Sequence, residues 1–199
     1  MMVKVCGITR REDAEAAAEA GASAIGFIFY KPSPRYVTPE KAGELGDGLK
    51  LWKVGVFVDE SAASIEAVML GARLDVAQVY GEALVSGARV WRARRLAASS
   101  PRGSMPPEPR PQGAADLDGS DEAVFLDSAG NGISFDWSIA RKAAEKVIIA
   151  GGLDASNVQE AIRIARPWGV DASSGLESAP GIKDHDKIRR FIEAARNAP

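Results

Sequence analysis

Short runs of β-branched and aromatic residues recur along the chain at Val3–Ile8, Ala24–Phe29, Trp52–Val58, Val76–Tyr80, Val90–Leu96, Ala123–Asp127, Lys146–Ala150 and Gly169–Ala172. Most are almost continuously apolar, as strands covered on both faces must be. Between most of them the apolar positions change to helical spacing, which gives six expected helices and the repeated β-α pattern that surrounds a parallel sheet. Thr9-Arg10-Arg11-Glu12 fits a capping box ahead of Ala14, Ala17, Ala18 and Gly21. Thr38-Pro39 supplies an N-cap and a first-turn proline for a helix toward Leu45, and Ser61–Leu70 gives another. Asp154 or Ser156 is placed to cap a helix bearing Val158, Ala161, Ile162 and Ala165, and Ile188, Phe191, Ile192 and Ala195 form the stripe of the last helix.

One interval breaks the pattern. Residues 98–122 include five prolines between Pro101 and Pro111, which forbid a regular helix between the fifth and sixth strands. A linker between two domains is the competing reading, but neither side has enough strands to close a barrel. The expectation is therefore a single-domain (β/α)8 TIM barrel over residues 1–199, with that helix replaced by a Pro-rich loop. At 199 residues the chain stands at the small end of that architecture, so its connections must be short.

Composition narrows the chemistry. Twenty-five Lys and Arg against 27 Asp and Glu give a net charge of -2, which offers no footing for nucleic acid. No apolar run is long enough for a bilayer span, and Lys4, Arg10 and Arg11 interrupt the N-terminus before a signal-peptide core develops, so a cytoplasmic location is expected. A single Cys excludes an intrachain disulfide, and a single His excludes a His-rich zinc centre. That histidine, His185, stands in the charged run Lys183–Lys187 and reads as a solvated helix start. Neither nucleotide-binding glycine pattern occurs, so catalysis without a cofactor is expected.

In such barrels chemistry gathers where the strands end. Strand parity points Lys4 and Cys6 toward the barrel axis if Val3 and Val5 face the helices, and points Phe125 and Asp127 inward if Val124 and Leu126 face out. Taken singly, Cys6 reads more readily as an inert buried thiol, and Asp127 reads equally as a turn-forming or capping residue and as a functional carboxyl. Together at one opening they are a candidate proton donor and acceptor. Gly151 and Gly152 after the seventh strand, and Ser173, Ser174 and Gly175 after the eighth, occupy the loops that commonly hold phosphate through backbone N–H groups. Few cations lie in those loops, so peptide dipoles are expected to hold the anion. Arg35, between prolines after the second strand, reads either as a solvated loop arginine or as a partner for a ligand carboxylate.

These residues resemble the phosphoribosylanthranilate isomerase family. The resemblance begins at Val3-Lys4-Val5-Cys6-Gly7-Ile8-Thr9-Arg10 and continues through Ser33-Pro34-Arg35, Phe125-Leu126-Asp127, Phe135-Asp136-Trp137 and Gly151-Gly152-Leu153. It runs on through Asp171–Glu177 and Pro180–Asp184 and so covers nearly the whole chain. It implies a cofactor-free Amadori rearrangement of N-(5-phosphoribosyl)anthranilate, a step of tryptophan biosynthesis. By that resemblance Asp127 is the general acid, Cys6 the general base and Arg35 the ligand of the anthranilate carboxylate. Gly151, Gly152, Ser173, Ser174 and Gly175 would bind phosphate. The implied partner is a small phosphosugar, with no nucleic acid or membrane, and the protein would act as a monomer or homodimer. Two departures stand out: Gln78-Val79-Tyr80-Gly81 replaces the family's usual Gln-Leu-His-Gly, and Ala129-Gly130-Asn131-Gly132 keeps only part of a glycine-rich loop. Another phosphosugar barrel, such as an indole-glycerol-phosphate synthase or a histidine-pathway aldose isomerase, and a ligand sensor without turnover are the alternatives.

Overall fold

A computed structural model describes residues 1–96, 121–128 and 137–199 of the chain. Strands β1 (Met2–Cys6), β2 (Ala24–Ile28), β3 (Trp52–Val58), β4 (Val76–Tyr80), β5 (Arg89–Leu96), β6 (Asp121–Ser128), β7 (Val147–Ala150) and β8 (Gly169–Ala172) form a closed parallel barrel in sequence order. Closure is made by β8 against β1, where Val3 pairs with Val170 and Lys4 with Asp171. The expected (β/α)8 barrel is thus present. Most of the proline-rich segment, and the loop at residues 129–132, lie outside the described residues.

Alternation along the strands builds two cores. Val3, Val5, Val124, Leu126, Ile149 and Val170 pack outward against the helices. Ala24, Val54, Val76, Phe125 and Ile148 fill the barrel. This is the parity that makes Cys6 and Asp127 inward-facing. The N-terminal end of the barrel is plugged by Trp91, fully buried, with ring centroids 6.0 Å from Trp52 and 5.9 Å from Trp168. Access to the barrel interior is therefore from the C-terminal ends of the strands.

The helices are α1 (Arg11–Glu19), α2 (Pro39–Gly46), α3 (Ala62–Gly71), α4 (Val158–Ala165) and α5 (His185–Arg196). Five α-helices are seen among the described residues rather than six, and a 3-10 segment, Trp137–Lys142, precedes β7. Thr38 caps α2 by accepting from Lys41 N–H, and Ser61 caps α3 by accepting from Ser64 N–H, as their sequences suggest.

Two caps differ from expectation. The chain stays extended through Arg10, which becomes the N-cap of α1, and the Thr9 hydroxyl donates instead to the Gly181 carbonyl. Asn157 rather than Asp154 or Ser156 is the N-cap of α4, because Asp154 is used one turn earlier to accept from Ser156 N–H and Oγ–H. An unforeseen hairpin of β9 (Glu177–Ala179) and β10 (Ile182–Lys183) turns at Gly181, φ +79°, and leads into α5. His185 opens α5 as expected, but its ring is only half in solvent and bonds the buried Asp13 carboxylate at 2.9 Å. Among the described residues no helix is long and apolar enough to cross a membrane.

Candidate active site

A cavity of about 300 Å³ opens at the C-terminal end of the barrel. Cys6, the last residue of β1, and Asp127, near the end of β6, both line it. Beneath them Lys4 is fully buried and donates to Asp171 Oδ1 at 2.9 Å, while its ammonium stands 5.1 Å from the Phe125 ring centroid. Gly26 on β2 makes room for this group: a Cβ there would come within 2.8 Å of Cys6 Sγ and 3.0 Å of Lys4 Cε.

The electrostatics follow from burial and from these partners. Burial works against the Lys4 ammonium, but Asp171 and Cys6 overcome it, so its pKa is raised and Lys4 stays charged. Burial pushes the Cys6 thiol up, with Lys4 pulling the other way. At rest Cys6 is therefore a neutral thiol, not the acidified group that a general base would suggest. Burial likewise raises the Asp127 carboxyl; a hydrogen bond from Tyr80 opposes this, and Asp171 adds to it. A carboxyl held up in this way is suited to give a proton.

The wall between Cys6 and Asp127 is made by the β7 and β8 loops, because β8 pairs with β1 and β7 with β6. Gly151 and Gly152 have φ of +89° and +66°, and a Cβ at Gly151 would lie 1.9 Å from Ser128 Oγ. No other residue fits there without moving Ser128. The Gly152 carbonyl is held by Asn157 Nδ2 at 2.8 Å, which ties this loop to the start of α4. Ser173 and Ser174 line the cavity beside them. Gly175 stands behind the lining, where its missing side chain lets the two loops touch: a Cβ would meet the Leu153 carbonyl at 2.4 Å. A cation stands behind this wall. Lys183, buried, donates to the Ser173 carbonyl at 3.1 Å and to Glu177 Oε1 at 2.8 Å.

Arg35 lines the cavity with its guanidinium already fixed. Its Nε and Nη2 donate to the two oxygens of Glu177, each at 2.7 Å. Burial tends to raise the Glu177 carboxyl, but Arg35 and Lys183 overcome it and leave it ionised well into acid. Arg35 is thus a clamped arginine, not a solvated one.

The model of the N-(5′-phosphoribosyl)anthranilate isomerase family matches residues 3–194, nearly all of the chain. The chain belongs to the phosphoribosylanthranilate isomerase family. It is 44% identical to the N-(5′-phosphoribosyl)anthranilate isomerase of Solibacter usitatus over 203 residues, covering 100% of this chain and 98% of that one. A structure of monomers obtained from the dimeric phosphoribosylanthranilate isomerase of Thermotoga maritima superposes with a TM-score of 0.81 at 34% identity, covering 98% of each chain. A phosphoribosylanthranilate isomerase in complex with reduced 1-(o-carboxyphenylamino)-1-deoxyribulose 5-phosphate gives 0.78 at 33% identity, again over 98% of each. The chain is accordingly an isomerase of tryptophan biosynthesis.

Tyr80, at the end of β4, donates its phenol hydrogen to Asp127 Oδ2 at 3.0 Å. The structure gathers Cys6, Asp127, Arg35, Gly151, Gly152, Ser173 and Ser174 around one cavity and places Gly175 just behind it. Sequence reasoning missed Lys183, Glu177 and the pairing of Lys4 with Asp171. Alternation along β8 puts Asp171 on the inner face two residues before Ser173, a signal that was present. Lys183 had none, because it arrives by way of a two-residue strand after the Gly181 turn.

Proposed function

We propose that this chain converts N-(5′-phosphoribosyl)anthranilate into 1-(2-carboxyphenylamino)-1-deoxyribulose 5-phosphate, with Asp127 as general acid and Cys6 as general base. The observation that carries the reading is the convergence of those two side chains on a cavity whose wall between them is formed by the glycine-rich β7 and β8 loops. The phosphate rests against Gly151, Gly152, Ser173 and Ser174, with Gly175 letting the two loops close and Lys183 behind Ser173 adding positive charge. Arg35, oriented by Glu177, faces the anthranilate carboxylate. Gln78, almost wholly buried in the cavity wall, has its Oε1 without a hydrogen bond among the described residues.

The reaction needs neither oxidant nor metal. Asp127 gives its proton to the furanose ring oxygen as the C1′–O bond breaks, and the anthranilate nitrogen lone pair forms a C1′=N iminium. Cys6 removes the C2′ proton, and the C–H electron pair becomes the C1′=C2′ bond of an enolamine while nitrogen recovers its lone pair. Proton return to C1′ with loss of the enol proton gives the ketone. The reactive form carries a proton on Asp127 and none on Cys6. Burial makes it a minor form of the free protein, Lys4 stabilises its thiolate, and the iminium charge favours it further. The phosphosugar is the only partner this chemistry requires, and the protein acts as a monomer or homodimer.

Purified protein mixed with freshly prepared phosphoribosylanthranilate, with no metal or nucleotide added, is expected to abolish the substrate's fluorescence and yield the ketose. Unchanged fluorescence at enzyme concentrations that saturate with a reduced product analogue would refute the reading.

A further inference from the structure

At the end of β4 a phenol contacts the carboxyl proposed above as the proton donor. Tyr80 is largely buried at the end of β4 and its phenol is 3.0 Å from Asp127 Oδ2. Gln78, two residues earlier on the same face, presents Nε2 to that phenol oxygen at 3.4 Å. The order of this chain is fixed by hydrogen counting. A phenol has one hydrogen and an ionised carboxylate has none, so the phenol hydrogen belongs to Asp127 and the Gln78 nitrogen, not its oxygen, must face Tyr80. That leaves Gln78 Oε1 buried and unpaired among the described residues, as observed.

When Asp127 takes up a proton the same geometry acts on it. Oδ2 already accepts from Tyr80, whereas Oδ1 has no hydrogen bond among the described residues. We infer that Tyr80, held by Gln78, is the positioning residue of the acid: it occupies Oδ2 of Asp127 and so places the transferable proton on Oδ1, toward the cavity. The inference rests on the proposed role of Asp127. Tyr80 also opposes the upward push of burial on the carboxyl. The other charged groups around Asp127 are Asp171 from β8, which raises it, and Arg95 from β5 and Lys4 from β1, which lower it. The Tyr80 phenol itself is pushed well up by burial and by Asp127, and Cys6 adds to this, so it remains a donor throughout the working range. The Arg95 guanidinium lies 5.1 Å from the Tyr80 ring centroid and steadies it from the solvent side.

Tyr80→Phe keeps the ring and removes only the donor. In protein labelled with ¹³C at aspartate carboxyls, with the Asp127 signal assigned by its loss in Asp127→Asn, the midpoint of Asp127 is expected to move to higher pH in Tyr80→Phe. The acid limb of kcat/KM, which Asp127 governs, is expected to move with it, and kcat to fall about tenfold, the loss of one good hydrogen bond. Gln78→Leu, which leaves Tyr80 in place, gives a smaller movement in the same direction. A ring-fluorinated tyrosine at position 80, a stronger donor, gives the opposite one. Coincident Asp127 titrations in wild type and Tyr80→Phe would overturn the inference. Because the titration needs no substrate, it stands or falls separately from turnover: absence of turnover in wild type refutes the proposed reaction, whereas an unmoved titration refutes only the role of Tyr80.

Discussion

Replacing Lys4 by Met asks what the buried ammonium contributes. Lys4 and Asp171 stand 2.9 Å apart with the lysine side chain wholly buried, so their attraction is about 6 kcal/mol at an effective dielectric of about 20. Desolvation of both ions offsets much of that, and the net effect of removing one partner is about 3–5 kcal/mol, because Asp171 is left charged in the barrel. Lys4→Met is therefore expected to lower the urea unfolding free energy by that amount. Lys4→Met/Asp171→Leu is expected to regain most of it, since paired removal leaves no buried ion. Lys4→Met removes the positive charge beside Cys6 and keeps Asp171, which pushes the thiol up, so the thiolate becomes scarcer and kcat/KM falls by tenfold or more, with the Cys6 limb of the pH profile displaced to higher pH; the double variant loses less, because the opposing effect of Asp171 is removed as well. Equilibrium unfolding by circular dichroism and the fluorescence assay across pH give the two readings. Wild-type kcat/KM and an unmoved Cys6 limb in folded Lys4→Met would refute the reasoning, since they would show that Cys6 does not depend on the Lys4 charge.

Gly151→Ala should weaken inhibition by inorganic phosphate and cost about 1–3 kcal/mol in urea unfolding, because a left-handed φ and a Cβ 1.9 Å from Ser128 Oγ are imposed together. Arg35→Ala should raise KM roughly ten- to a hundredfold with a smaller change in kcat, the loss of one charge-assisted contact, measured by initial rates. The two aspartates should respond to pH with opposite sign. Asp13 is depressed in the folded state because hydrogen bonds from Arg10, His185 and the Lys183 N–H overcome its burial. Its stabilisation is present above its unfolded pKa and fades as pH falls, so Asp13→Asn is less stable than wild type at neutral pH and the gap closes in acid. Asp127 is raised, so its unfavourable charging sets in as pH rises. Asp127→Asn should therefore melt at or above wild type at neutral pH, with the difference vanishing in acid; thermal melts from pH 3 to 7 check both.

The barrel was legible because its strands are nearly continuous apolar runs and because alternation along β1 and β6 assigns inner and outer faces without ambiguity. The same alternation brought Cys6 and Asp127 to one opening. The glycines at 151 and 152 were legible as a sharp turn at the end of a strand, and both have positive φ beside the cavity. Hydrogen bonds across long sequence separations were not legible. Arg35 meets Glu177 over 142 residues and Lys4 meets Asp171 over 167, and neither pairing leaves a local spacing to read. Capping failed where a tertiary partner competed: the Thr9 hydroxyl serves the Gly181 carbonyl, and Arg10 becomes the N-cap. The thiol state of Cys6 was likewise hidden, because burial and the Lys4 charge act in opposite directions and only coordinates show which prevails.

The central claim is tested most directly by measuring kcat/KM for phosphoribosylanthranilate in wild type, Cys6→Ser and Asp127→Asn under one set of conditions, with folding verified for each. Turnover by the wild type and a loss on the order of 10² or more in each variant are predicted, as for removal of a positioned acid or base. Wild-type-like turnover in either variant would contradict the account, for it would show that the proton moves without that side chain.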